Sequence, residues 1–240
     1  MPALFSMKKI IAFILFLTTG FAVVGQNQKV WNLRDFDRKW VHFGFTLGVN
    51  TMSYRLNTDL TQVDSLISLE TASQPGFNIG IVSQLHLSEH LGLRFLPALS
   101  FGQRNLEYVF RGTEQNILVT KAVESTYLEF PLLLKYRSRR LNNFAAYFLG
   151  GAKYASDLSS QAEINNRVPP PQQVVRLARH NFMYEIGFGF DFFLEYFKFS
   201  PEIKVSTGLR NMLIDEGSIW ESPIDHLQPR VISISLHFEG

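Results

Sequence analysis

Residues 184 to 206 read YEIGFGFDFFLEYFKFSPEIKVS. From Tyr184, every second residue is Ile186, Phe188, Phe190 and Phe192, while the other register carries Glu185, Gly187, Gly189, Asp191, Phe193 and Glu195. After a short break, Phe199, Pro201, Ile203 and Val205 alternate with Ser200, Glu202, Lys204 and Ser206. A period of two places alternate side chains on opposite faces of a β-strand. A soluble sheet would bury the aromatic face in a core. A barrel in a membrane would turn that face to lipid and the polar register inward.

The remaining strands and their connections favour the membrane. The same alternation recurs at about 40–54 (Val41, Phe43, Phe45, Leu47, Val49), 76–87, 90–110, 119–137, 144–156 and 230–239 (Ile232, Ile234, Leu236, Phe238). Strands two and three, four and five, and six and seven are joined by the short turns SEH, SRRLNN and EYFK. The other links, at 55–75, 111–118, 157–181 and 210–228, are long and polar. An even number of amphipathic strands with short turns at one end and long loops at the other predicts an all-β fold. The expectation is an eight-stranded antiparallel up-and-down transmembrane β-barrel with short periplasmic turns and long extracellular loops. Strands of about 9 to 11 residues suffice to cross when tilted. A secreted soluble barrel or sandwich is the alternative.

The N-terminus reads as an export signal. Lys8 and Lys9 precede the apolar run IIAFILFL, and small residues follow, with a cut between Gly25 and Gln26. That run falls short of the roughly 18 apolar residues a spanning helix needs. The expected organisation is a signal peptide at 1–25, a periplasmic segment at 26–39 and an outer-membrane barrel at 40–240. The 23 Lys plus Arg against 21 Asp plus Glu give no nucleic-acid patch, and zero Cys excludes disulfides and thiolate chemistry.

The inward register carries Arg94, Arg104, Glu129, Lys135, Lys153, Glu185, Asp191, Glu195, Glu202 and Lys204. An eight-stranded barrel is just wide enough for its own side chains, so these charges are expected to pair across a plugged lumen. His42, His86 and His237 share that register near the short-turn end; they are the one candidate metal cluster, and hydrogen-bonded lumen filling is the plainer reading. Trp31, Phe36 and Trp40 precede or open strand one and suit either a cover for the barrel mouth or a partner contact. Arg137, Arg139 and Arg140 make the turn RSRR basic, which suits solvent, anionic headgroups or an acidic partner. No nucleophile motif is present, and GFGF at 187–190 lies within a strand, so it cannot cradle a phosphate. His180 and His226, in long loops with Ser and Asp nearby, are what a loop-based enzyme would use.

Several stretches, NLRDFDRKWVHFGFTLGVNTMSYR, LSFGQRNLEY, VESTYLEFPLLLKYRSRRLNNF and YEIGFGFDFFLEYFKFSPEIK, resemble the PorT family of Bacteroidetes outer-membrane proteins. The resemblance runs from about residue 32 to 239. It implies a component of the type IX protein secretion system, a system linked in some relatives to gliding motility; the barrel reading makes that component monomeric and non-enzymatic. The resemblance also implies partners among other envelope proteins and the outer-membrane lipid, with no cofactor, nucleic acid or small-molecule substrate. A structural or adhesive barrel binding through its outer loops is the alternative.

Overall fold

The computed structural model describes residues 31–160, 162, 169, 173–214 and 217–240. Residues 1–25, predicted to be a signal peptide, residues 26–30 and most of the VPPPQQ stretch lie outside the described residues. The strands are β1 (Val41–Thr58), β2 (Leu66–His86), β3 (Leu91–Phe95), β4 (Ala98–Phe110), β5 (Ile117–Arg137), β6 (Phe144–Asp157), β7 (His180–Phe193), β8 (Lys198–Gly208) and β9 (Ile224–Glu239).

All neighbours pair antiparallel, and β1 pairs with both β2 and β9, which closes the sheet on itself. The segments β3 and β4 both lie between β2 and β5 and are parted only by Leu96 and Pro97. Proline has no N–H to give to a ladder, so they are one wall strand with a nick in it. The nine segments thus make a ring of eight positions, the antiparallel up-and-down barrel the alternation predicts. Among the described residues no helix is long and apolar enough to cross a membrane; the crossing is made by strands.

The outward face shows where the lipid ends. On β1 the outward residues run Val41, Phe43, Phe45, Leu47 and Val49, then Thr51, Ser53 and Arg55. On β9 they run Leu236, Ile234 and Ile232, then Arg230. Thr51 lies opposite Ile232 across the β1–β9 pair, so the change falls at one height. On the next wall Phe101 of β4 faces Thr126 of β5, with Gln103 and Glu124 beyond. Below that line the exposed side chains are apolar, Phe43 at 64% and Phe148 at 65% among them. In water such a surface would be a liability; in hydrocarbon it is the matching solvent.

The connections after β6 and β8 are long, as the sequence predicts, but two of the predicted long links are shortened by longer strands. β1 continues to Thr58 and β2 begins at Leu66, so the 55–75 link shrinks to a short turn. β9 likewise starts at Ile224 rather than 230. Two effects hid these extensions. Above the lipid the outward face turns polar, and register shifts in β2 between Leu66 and Ser68 and between Ser73 and Phe77 break the period. In the turn, the Asp59 carboxylate accepts from the Thr61 hydroxyl (2.6 Å) and amide (3.0 Å) and from Gln62 (3.1 Å). These bonds favour its charged form and hold its pKa below the ordinary range.

The barrel therefore has two storeys, one within the lipid belt and one standing above it. In the outer storey, Leu69, Leu106, Tyr108 and Leu227 from the strands meet Val175, Leu177, Met212 and Trp220 from the two connections after β6 and β8. Tyr108 donates to the Trp220 carbonyl at 2.7 Å, with the rings edge to face at 5.1 Å. Burial pushes the Tyr108 phenol above its ordinary range.

Candidate functional site: a filled lumen and a clamped mouth

The inward register of the membrane storey is charged, and its charges are paired. Arg94 lies at the centre with no exposed surface. It donates to Glu202 (2.9 Å), Glu239 (3.0 Å) and Gln84 (2.8 Å). Lys135 reaches Asp191 at 2.8 Å, and Lys198 reaches Glu239 at 2.8 Å. Lys204 lies between Glu185 (3.7 Å) and Glu202 (3.4 Å), and Lys153 between Glu129 (3.1 Å) and Glu185 (3.7 Å). Five cations thus face five carboxylates: ion pairs link four of each, and Tyr147 ties the separate Lys135–Asp191 pair into the same net. A lone ion here would cost several kcal/mol, whereas a paired and hydrogen-bonded set offsets that cost. Tyr147 donates to Glu202 at 2.8 Å and lies under the Lys135 ammonium at 3.5 Å. A Cβ at Gly189 would come within 2.5 Å of the Tyr147 ring, so glycine is what admits the phenol there.

Of the inward residues predicted from sequence, Arg94, Glu129, Lys135, Lys153, Glu185, Asp191, Glu202 and Lys204 lie in this net. Glu195 does not. The chain leaves β7 at Phe193, and Glu195 is exposed in the turn before β8. Lys198, read from sequence as part of that turn, is instead fully buried, and Glu239 joins it. Both were reachable by counting in twos: Lys198 precedes Ser200, and Glu239 follows His237.

Arg104 is the odd cation. It lies higher, where the two storeys meet, and among the described residues it has no carboxylate within salt-bridge distance. Its guanidinium instead donates to the hydroxyls of Tyr54 (2.7 Å) and Tyr127 (3.1 Å) and stacks 4.7 and 5.1 Å from their ring centres. Cation–π attraction and phenol acceptors take the place of an ion pair.

The histidines do not converge. Register pairs His42 with Gln84 but Thr46 with His237, so His237 lies about a strand's four residues higher and 3.1 Å from Glu202. His42 and His86 do meet, with ring centres at 4.8 Å, but His42 is covered by a stacked Phe36 ring at 3.6 Å. Among the described residues no group of three His, Cys, Asp or Glu is placed to hold a metal ion. His180 shares a hydrogen bond with the Tyr154 hydroxyl at 2.8 Å, and His226 lies on β9 opposite Asn57.

The short-turn mouth is stopped by the chain's own segment before β1. A single 3-10 turn, Phe36–Arg38, puts Phe36 into the mouth, 3% exposed, against His42, Phe193 and Ala145. Asp37 accepts from Arg137 at 2.7 Å and lies 3.5 Å from Arg140. Arg140 also donates to the Asn32 carbonyl, and Asn32 bonds Asn143 and the Phe193 carbonyl, each at 3.0 Å. Of the two readings of this segment the structure displays the mouth cover: Phe36 is packed inside the barrel, and Arg137 and Arg140 face the acid that Asp37 supplies. Trp40 (78% exposed) and Arg139 remain open, and Trp31 is about half exposed.

A closed sheet with a lipid-facing apolar belt and a filled, ion-paired lumen defines a small transmembrane β-barrel. The chain belongs to the outer membrane protein beta-barrel domain family, whose model matches residues 25–213, and it is a protein of the outer membrane. No curated protein matches it. Among solved structures it is similar to the outer membrane protein OprG of Pseudomonas aeruginosa, at 12% identity over 83% of this chain and 91% of that one, with a TM-score of 0.40. The attachment invasion locus protein Ail of Yersinia pestis, solved with the heparin analogue sucrose octasulfate, matches at 12% over 84% and 100%, also with a TM-score of 0.40. The N-terminal β-barrel domain of Pseudomonas aeruginosa OprF matches at 14% over 81% and 97%, with a TM-score of 0.31.

Proposed function

We propose that this barrel is a non-enzymatic accessory or assembly component of the type IX protein secretion system, as its resemblance to the PorT family implies. In this reading residues 1–25 are removed on export, 26–39 form the periplasmic segment and 40–240 the barrel. One observation supports a role by contact rather than conduction: the lumen is occupied by its own ion pairs and the mouth by Phe36. The surfaces left for envelope partners are the exposed Trp40 and Arg139 and the outer storey. The test is a strain lacking the gene. Proteins with C-terminal sorting domains should accumulate in the periplasm and reach the surface again when a plasmid copy is supplied. Normal surface delivery would overturn the reading.

A second reading, a surface-binding barrel unconnected with secretion, is favoured by the height of the wall. β1, β2, β4 and β5 all run well past the polar line at Thr51 and Thr126. Binding of the intact cells to a host or neighbour surface, lost with the gene while secretion is normal, would support it.

A further inference from the structure

The wall of the outer storey is not a closed ring. β6 pairs with β5 only up to Asp157 opposite Tyr127, and β8 pairs with β9 only up to Thr207 opposite Arg230. Above those points β9, β1, β2, β4 and β5 continue as a curved sheet with two edges. The two edges are treated differently. On β9, Leu227 gives its amide to the Asn211 side chain (2.9 Å) and its carbonyl to the Met212 amide (2.9 Å), while the Asp225 carbonyl accepts from Asn211 (3.1 Å). That edge is capped by the chain itself.

Among the described residues the β5 edge is capped only at its foot, where the Thr126 amide meets the Asp157 carboxylate (3.2 Å) and its carbonyl takes the Leu158 amide (2.8 Å). Those bonds show which residues point their backbone away from β4. The β4–β5 ladder runs without a register shift from Glu129 to Ile117. Backbone direction alternates along a strand, so Glu124, Ala122, Thr120 and Leu118 also turn N–H and C=O to the open side. Their side chains are exposed on the outer face. From Leu118 to Glu124 this edge is about 20 Å long at about 3.4 Å per residue. It carries no proline, and an unblunted edge of this length is a template for another strand.

We propose that the β5 edge from Leu118 to Glu124 is a docking site for an extended segment of a different protein, added antiparallel as a strand directly above β6. The occupant is not a second copy. Two copies in one membrane are related by an axis along its normal, and strands tilted roughly 35–45° then cross instead of lying side by side. The side chains define the chemistry of the guest. Val119 and Val123 lean onto the outer-storey core, and the Lys121 ammonium between them is already held by the Gln173 carbonyl (2.9 Å) and the Trp220 ring, so inward guest residues are β-branched and apolar. Outward, Glu124 favours a basic residue opposite it.

The probe is a nine-residue peptide alternating valine with lysine and threonine, added to the full-length protein in lipid nanodiscs. Without peptide, the amides of Thr120 and Ala122 should exchange with solvent rapidly; with it, their exchange should slow at least tenfold. Ala122→Pro removes an edge N–H and leaves the β4 ladder intact, so it should abolish peptide binding; Thr120→Pro is the second such variant should the first not fold. Slow exchange before peptide is added would mean that the chain covers its own edge. That result, unchanged exchange with peptide, or equal binding by a folded proline variant would each overturn the proposal.

Discussion

The two storeys are built from the same strands but filled on opposite principles. Inside the lipid belt the outward face is apolar and the core is ionic, held by Arg94, Lys135, Lys198 and their carboxylates. Above it the outward face is polar and the core is apolar, centred on Tyr108, Leu106, Leu227 and Trp220. The inversion follows the solvent. A wall that must show hydrocarbon to lipid has only its other register left for polar residues, whereas a wall in water fills its inside as any soluble sheet does. Arg104 lies at the changeover, and its partners, two phenols and the Met52 sulfur, are half polar and half apolar.

The comparison can be broken hardest in the membrane storey. Arg94→Met leaves Glu202 and Glu239 short of a partner in a site with no exposure, and is expected to cost about 3 to 5 kcal/mol in unfolding from lipid vesicles. Trp220→Ala should cost about 3 kcal/mol, the usual loss for a buried tryptophan. Its signature is regional: hydrogen exchange should quicken in the upper halves of β4 and β5 and stay slow at Arg94. Loss of protection in both regions would mean that the storeys are one cooperative unit. Replacing a whole pair sharpens the contrast: Lys135→Met together with Asp191→Leu should stay within about 1 kcal/mol of the parent, although Asp191→Leu alone should cost several, because a removed pair leaves no stranded charge. The smallest effect is expected at the mouth. Asp37→Asn should change global stability by less than about 1 kcal/mol, as partly exposed pairs do, while exchange at residues 32–39 quickens.

Much of the membrane storey was legible in the chain because its two faces differ so sharply. Phe188 and Ile234 against Glu185 and Ser235 need only a count of two. The outer storey was not, since Thr51, Ser53 and Arg55 replace apolar residues on the outward face and the shifts in β2 move Leu66 and Leu69 out of step. Tyr108 and Phe110, which meet the Trp220 ring, lie more than a hundred residues away from it, beyond any local period. Glu195 was misplaced for a simpler reason: the alternation was carried two residues past the end of β7 at Phe193. In the mouth, RSRR advertised positive charge, but only the closed barrel brings Asp37 across 100 positions of sequence to meet Arg137.

That last contact orders events in time. Asp37 and Phe36 come before the first strand, yet their receptors, Arg137, Arg140, Asn143 and Phe193, belong to the end of β5, the turn after it and the end of β7. A segment that precedes every strand in sequence is therefore among the last to find its seat, because its seat does not exist until β7 has joined the wall. Until then the aromatic and its carboxylate have no seat, and their capture marks a barrel whose assembly is nearly complete.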